Sequence, residues 1–181
     1  LATGRYVKNF PSKTAALVNF YNRYKLDKVI PEFKPNILHK TYYGRGNEQH
    51  VDLPSIITVY DMIHELLPEY FPSHDLTAKH KYESVMRADH VICISESTRK
   101  DLIEIYNIPK GKTSVVHLAS DIRLAASTKP LRSFVDKPFI LFVGQRGGYK
   151  NFNNLIACIA LSDRLKKNFN IVCFGGGGFS Y

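Results

Sequence analysis

The residues best suited to chemistry lie between Phe139 and Asn151 (FILFVGQRGGYKN). Gly144, Gly147 and Gly148 open a loop in which backbone can come close to a ligand, and Arg146 and Lys150 add two cations to it. Five apolar residues, Phe139 to Val143, precede the loop and read as a buried strand. An amphipathic helix follows, with Phe152, Leu155, Ile156, Ile159 and Ala160 at spacings of 3, 4, 7 and 8 from the first. Strand, cationic glycine loop and helix N-terminus together suit phosphate, because amide dipoles and fixed positive charge converge there. The loop matches neither G-x-x-x-x-G-K-[ST], since Asn151 follows Lys150, nor G-x-G-x-x-G, since the spacing from Gly144 is wrong. An ordinary strand-to-helix turn with solvated cations has the same local pattern, so the rest of the chain must decide.

The elements that would position these residues can be read in order. Thr14 to Ile30 carries Leu17, Phe20, Tyr21 and Tyr24 on one helical face, and Pro31 and Pro35 should end that helix. Residues 36–39 read as a short strand and residues 41–53 as a loop. Ser55 to Tyr60 is rich in β-branched residues and reads as a central strand. Residues 61–73, with Pro68 and Pro72, read as a loop holding a short helical turn. His74 to Ala88 reads as a helix whose inner face is Ala78, Tyr82, Val85 and Met86, and His90 to Ile94 as a strand. Ser95 is placed to cap a helix that runs to Tyr106, with Glu96 at its positive end. Thr113 to His117 is a further strand. Residues 121–137 have no sustained period and read as a linker. Strand 138–143, helix 151–166 and strand 169–174 then form a βαβ unit that ends in Gly175 to Gly178.

Helices alternating with short apolar strands imply parallel sheets, so the class is α/β. The expected division is a partial first domain over 1–120, a linker over 121–137 and a partial second domain over 138–181. One βαβ piece buries too little surface to stand alone, and no strand opens the chain, so it reads as an excerpt of a longer protein.

Composition narrows the partners. Lys and Arg number 25 against 16 Asp and Glu, a net charge of +9, which favours phosphorylated ligands, a membrane surface or nucleic acid. The cations are dispersed and no nucleic-acid-reading motif or zinc spacing occurs, so a small-molecule enzyme with a solvated basic surface is the reading and no nucleic-acid partner is expected. Cys93, Cys158 and Cys173 sit in apolar elements, as buried free thiols do, and suggest a reducing compartment. No apolar run approaches eighteen residues. The expectation is a soluble, cytoplasmic protein, and contact with a membrane face stays compatible with the charge.

Six segments in order resemble the group 1 (family 4, retaining) glycosyltransferases, sugar-nucleotide enzymes of GT-B architecture. Lys34 to His39 (KPNILH) is similar to the family's KPDIxH strand, and Ile57 to Ile63 (ITVYDMI) to its vTxHDxx strand end. Ala88 to Thr98 (ADHVICISEST) is similar to ADxVIxxSxxT, and Ile108 to Val116 to the start of IPxxKxxVVxNG, whose closing NG is replaced here at His117-Leu118. Val143 to Asn151 is similar to VGxxxxxKN, and Ile171 to Gly178 to the strand and glycine loop that follow it. The resemblance implies parts of two Rossmann-like domains facing a cleft. It implies transfer of a sugar from a nucleotide-diphosphate donor to a glycan or lipid-linked glycan acceptor, without a metal or other cofactor. The setting it suggests is cell-surface polysaccharide synthesis at the inner membrane face. The family's His before Asp, which helps hold the transferred sugar, is Tyr60 here, and His64, three residues beyond Asp61, could substitute. The acidic pair that contacts donor sugar and ribose would lie beyond Tyr181, so transferase activity of this chain alone is not expected.

Open α/β sheets bind ligands beyond the carboxyl ends of their strands. His39, Tyr60, Asp61, Ser95, His117 and the 144–150 loop all fall at such ends. The residues put forward are Asp61 and His64 for catalysis, and Gly144, Arg146, Gly147 and Lys150 for donor phosphate. His39, Tyr60, Ser95 and Gly176 are further cleft candidates. Each has a plainer alternative: Asp61 as a cap of the next turn, His64 as a surface histidine, His39 and His117 as structural groups, Ser95 as a helix cap, and Gly175 to Gly178 as a frayed end. Two other functions remain open: a non-catalytic nucleotide-binding or scaffold protein of the same fold, and a dinucleotide-dependent dehydrogenase, which the absent G-x-G-x-x-G disfavours.

Overall fold

The computed structural model describes residues 14–44, 53–120 and 137–176. Expectations that fall on 45–52, the linker from 121 to 136, and Gly177 and Gly178 lie outside the described residues. The chain divides into two compact units, one comprising residues up to Met62 with Leu76–His117, the other Ile63–Asp75 with the residues from Leu118 on.

The first unit is built on a parallel sheet of four strands: β1 (Leu38–Lys40), β2 (Ser55–Val59), β3 (His90–Cys93) and β4 (Thr113–Val115), in the order β1-β2-β3-β4. Register runs Leu38 to Ser55, Ile57 to Val91 and Cys93 to Val115. The β-branched run in β2 explains its central place: Ile57, Thr58 and Val59 are buried, and stiff branched side chains pack well on a covered pleat. Ile57, Val59, Val85, Val91, Cys93, Leu102, Tyr106 and Ile108 form the core with Met62 and Ala88. Burial pushes the Cys93 thiol up to about 11, against the opposing pull of Arg99. At the opposite end of the sheet, the Ser55 backbone amide donates to the Asp89 carboxylate at 2.7 Å and holds that carboxyl below its ordinary value.

Of this unit's helices, α1 (Ala15–Phe33) continues through Pro31 instead of stopping before it. In the last turn a proline removes only one amide donor, and termination comes at Lys34, left-handed at φ 48°, whose N–H donates to the Ile30 carbonyl at 2.9 Å. The apolar face read in α1 is exposed: Leu17, Phe20, Tyr21 and Tyr24 all lie open. Lys25 and Lys28 sit over the Tyr21 and Tyr24 rings at 5.5 and 4.7 Å. The next helix packed in this unit, α3 (Thr77–Arg87), also turns differently from the reading. Tyr82 and Met86 are exposed, and the buried line is Lys81, Ser84 and Val85. By contrast α4 (Glu96–Tyr106) starts at the expected cap, with Ser95 Oγ accepting from the Thr98 amide at 3.1 Å, and ends at Asn107 in left-handed conformation.

In the second unit α2 (Ile63–Leu66) and a 3-10 turn at Pro68–Tyr70 make up the segment read as a loop with helical turn. Its sheet pairs β5 (Phe139–Val143) in parallel with β6 (Asn170–Phe174), from Phe139 opposite Asn170 to Val143 opposite Phe174. The crossover expected as one helix is two, α5 (Phe152–Leu161) and α6 (Asp163–Asn168). The break is at Ser162, whose hydroxyl accepts from the Leu165 amide at 3.3 Å and so starts a new helix, with Asp163 in its first turn. Nor is β5 buried throughout. Ile140 and Phe142 are half-buried, with the Phe142 ring 4.8 Å from Phe152 of α5, but Phe139, Leu141 and Val143 on the other face are exposed. A parallel strand is covered on both faces only where layers lie on both, and among the described residues helices cover one. Cys158, expected in the apolar interior, is exposed because the inner line of α5 is Phe152, Leu155 and Ile159.

Candidate functional site

Parallel strands bring their carboxyl ends to one edge of the sheet, so in the first unit Tyr60 and Asp61 after β2, Ser95 after β3 and His117 after β4 share that edge. The edge is closely tied by hydrogen bonds. Thr98 Oγ1 donates to the Tyr60 carbonyl at 3.2 Å and is itself 3.0 Å from Ser95 Oγ. His117 Nδ1 is 3.2 Å from the Ile94 carbonyl oxygen, and His39 Nε2 is 2.8 Å from Thr58 Oγ1. Lys81, from α3, donates Nζ to the Asp61 carbonyl at 2.8 Å and lies 3.8 Å from its carboxylate oxygen Oδ1. Lys81 is 0% exposed, whereas the Asp61 side chain is 46% exposed. The result is an accessible carboxylate at a strand end with a buried cation beneath it.

In the second unit the carboxyl ends of β5 and β6 carry the two glycine loops, and these pack on each other. The Gly144 amide donates to the Phe174 carbonyl at 2.9 Å. Gly144, Gly175 and Gly176 have φ of 128°, 85° and 78°, a backbone region that suits glycine. A Cβ on Gly176 would come 2.9 Å from the Gly144 carbonyl oxygen and 3.1 Å from Gln145 Cα. Arg146 spans the pair, donating from its two terminal nitrogens to the Gly175 and Gly176 carbonyls at 2.8 and 3.1 Å. Gly144, Arg146 and Gly176 are therefore brought together, with Arg146 clasping the neighbouring loop, whereas a Cβ on Gly147 would meet nothing within 4 Å.

Lys150 ends a single 3-10 turn and is exposed, its Nζ 5.1 Å from the Tyr149 ring centre. Asn151, left-handed at φ 58°, leads into α5 and makes no side-chain cap, which leaves the first-turn amides of a ten-residue helix without that partner. Tyr149 reaches Phe71 at 5.9 Å between ring centres, and Phe71 stacks on His64 at 3.9 Å. His64 Nε2 lies 3.7 Å from the Asp75 carboxylate, and among the described residues its buried Nδ1 has no hydrogen-bond partner. His64 is thus mostly enclosed and not a free surface histidine, and it belongs to the unit that carries Lys150.

Sequence reasoning missed Lys81, Thr98, Phe71 and Tyr149. For Lys81 a signal existed: it lies three residues after Ala78 and four before Val85, on the inner stripe of α3. A lysine there reads as an interruption of that stripe until its partner is known. Among the described residues no group of three or more His, Cys, Asp or Glu side chains is placed to hold a metal ion. No described helix is long and apolar enough to cross a membrane.

Parallel α/β sheets bind ligands of many kinds beyond their carboxyl ends, and comparison with known families narrows the class. The family model described as Glycosyltransferase Family 4 matches residues 2–124, more than half of the 181. The chain belongs to that family, the match covers the sheet of β1–β4, and the two parallel sheets give the α/β class that the sequence implied. Among solved structures it is similar to a glycosyltransferase from Rickettsia africae ESF-5, at 17% identity and a TM-score of 0.44, over 93% of this chain and 54% of that one. The chain thus spans about half the length of that relative. No match to it is found among curated proteins.

Proposed function

We propose that the protein of which this chain is part transfers a sugar from a nucleoside-diphosphate donor to a glycan acceptor, with retention at the anomeric carbon. The observation that carries this reading is the pair of interlocked glycine loops, Gly144–Lys150 and Gly175–Gly176, in a chain of Glycosyltransferase Family 4. As the anomeric bond breaks, negative charge builds on the leaving diphosphate, and fixed donors aimed at that charge lower the barrier. Lys150, exposed beside the uncapped start of α5, supplies the cation, and the first-turn amides supply dipoles. Arg146 keeps the loops in register. Asp61 and His64 act on the transferred sugar. In this reading the unit of β1–β4 serves the acceptor and the unit of β5–β6 the donor. The net charge of +9 supports an acceptor held at an anionic membrane face, such as a lipid-linked glycan on the cytoplasmic side in cell-surface polysaccharide synthesis.

The test is to incubate the complete protein with UDP-, GDP- and ADP-linked hexoses and measure free nucleoside diphosphate, with and without EDTA. Release from one donor class, unchanged by EDTA, is expected. No nucleotide binding at millimolar concentration and no release would return the fold to a scaffold role.

A further inference from the structure

We infer that Lys81 is a positioning residue for the proposed reaction, holding the strand-end carboxylate of Asp61 in its working geometry; this rests on the role given to Asp61 above. Lys81 is the largest fully buried side chain in the described structure. A wholly buried lysine is rare and costly, because its head group leaves water, and such a group persists where something else depends on it. Its surroundings say what depends on it. Nζ donates to the Asp61 carbonyl at 2.8 Å, lies 3.8 Å from the Asp61 carboxylate and sits 5.4 Å from the Tyr43 ring centre. The next turn of α3 reinforces the same wall, with Ser84 Oγ accepting from the Gly44 amide at 3.3 Å.

One peptide earlier, Thr98 Oγ1 donates to the Tyr60 carbonyl. Two consecutive carbonyls past the end of β2 are therefore held by side chains from two different helices. Beyond Val59 the sheet ladder no longer fixes the backbone, so these side chains set where Asp61 points. The asymmetry of exposure supports this: the lysine is enclosed and cannot meet substrate, while the carboxylate that it touches is half open. Lys81 thus acts through Asp61 and not on the sugar.

The experiment is a double-mutant cycle of Lys81→Met, Asp61→Asn and both together in the complete protein. Nucleoside diphosphate release from the UDP-, GDP- and ADP-hexose panel is read beside thermal melting. Lys81→Met keeps the volume and removes the charge, and the carboxylate left behind is solvated, so melting close to wild type is expected. Asp61→Asn instead removes a carboxylate 3.8 Å from a buried cation and melts lower. For Lys81→Met, kcat falls about a hundredfold, as a displaced catalytic group costs, while donor KM stays within about twofold. The double variant is no slower than Asp61→Asn alone, because residues acting as one unit are not additive. Additive losses, or a wild-type kcat in Lys81→Met beside an inactive Asp61→Asn, overturn the positioning role and leave the proposed function standing. Full turnover in Asp61→Asn overturns both the role of Asp61 and this inference. If Lys81→Met does not fold, Lys81→Leu, uncharged and without a donor, takes its place in the cycle with the same outcomes.

Discussion

Replacing Gly176 with alanine is the sharpest probe of the interlocked loops. The backbone there is at φ +78°, and an L side chain in that region costs about 1–2 kcal/mol. The added Cβ also meets the Gly144 carbonyl oxygen at 2.9 Å, where ordinary contact begins at 3.4 Å. The obstacle is backbone on both sides and cannot swing away as a flexible side chain would, so the loops must part. Overpacking of this kind costs about 1–3 kcal/mol. Allowing for partial relaxation, we expect a local loss of about 2–4 kcal/mol, or about 30- to 700-fold at 1.4 kcal/mol per decade. The assay is amide hydrogen exchange at Gly144, whose N–H is held by the Phe174 carbonyl and reports opening of this pair of loops. Gly111→Ala is the control, since a Cβ there meets nothing within 4 Å. Gly144 exchange in Gly176→Ala within threefold of wild type would refute the argument that these loops are mutually fitted.

Four further outcomes are expected. Lys150→Ala should cut turnover about a hundredfold, some 3 kcal/mol in the transition state, while stability moves by less than about 0.5 kcal/mol; Arg146→Ala should lose turnover together with loop order, because its guanidinium holds two carbonyls. Near-normal turnover in Lys150→Ala moves the phosphate site elsewhere. Gly147→Ala places its Cβ in open space with no positive φ, so stability should be unchanged, and weaker binding of UDP, GDP or ADP by calorimetry would show that ligand needs the backbone bare; unchanged affinity for all three removes Gly147 from the site. Asp89→Asn should melt lower than wild type at neutral pH, and the gap should close in acid. The Asp89 carboxyl is lowered in the folded protein, so its contribution is present above the ordinary 3.8 and is lost as pH falls through the folded value. A gap that does not narrow as pH falls below the ordinary 3.8 contradicts that assignment.

The sequence alone determined what depends on neighbours along the chain. The β-branched run of Ser55 to Val59 forms the central strand, Ser95 caps α4 through an amide three residues on, and the glycines at 144, 147 and 148 separate β5 from α5. These are settled within a turn or a strand, by dihedral preference, hydrogen-bond reach and apolar spacing, and so they were legible. Ser162 was legible in principle too, as a serine followed by an acid, but the apolar period ran through it.

Tertiary structure decided what depends on partners distant in sequence. Lys81 finds Asp61 across 20 residues, and Arg146 finds Gly175 and Gly176 across 29 and 30. The position of Lys81 on the inner stripe of α3 marked it as unusual, but nothing local named the partner of Lys81 or of Arg146, because both side chains are long enough to reach water from most positions. The exposed faces of α1 and β5 belong to the same class. An apolar stripe states that a face can be buried, but whether another layer lies over it is a property of the assembled fold. The same limit applies to the candidate site: residue types and spacing chose the carboxylate and the cations, and only packing showed that Asp61 rests on a buried ammonium while Lys150 stands open to solvent.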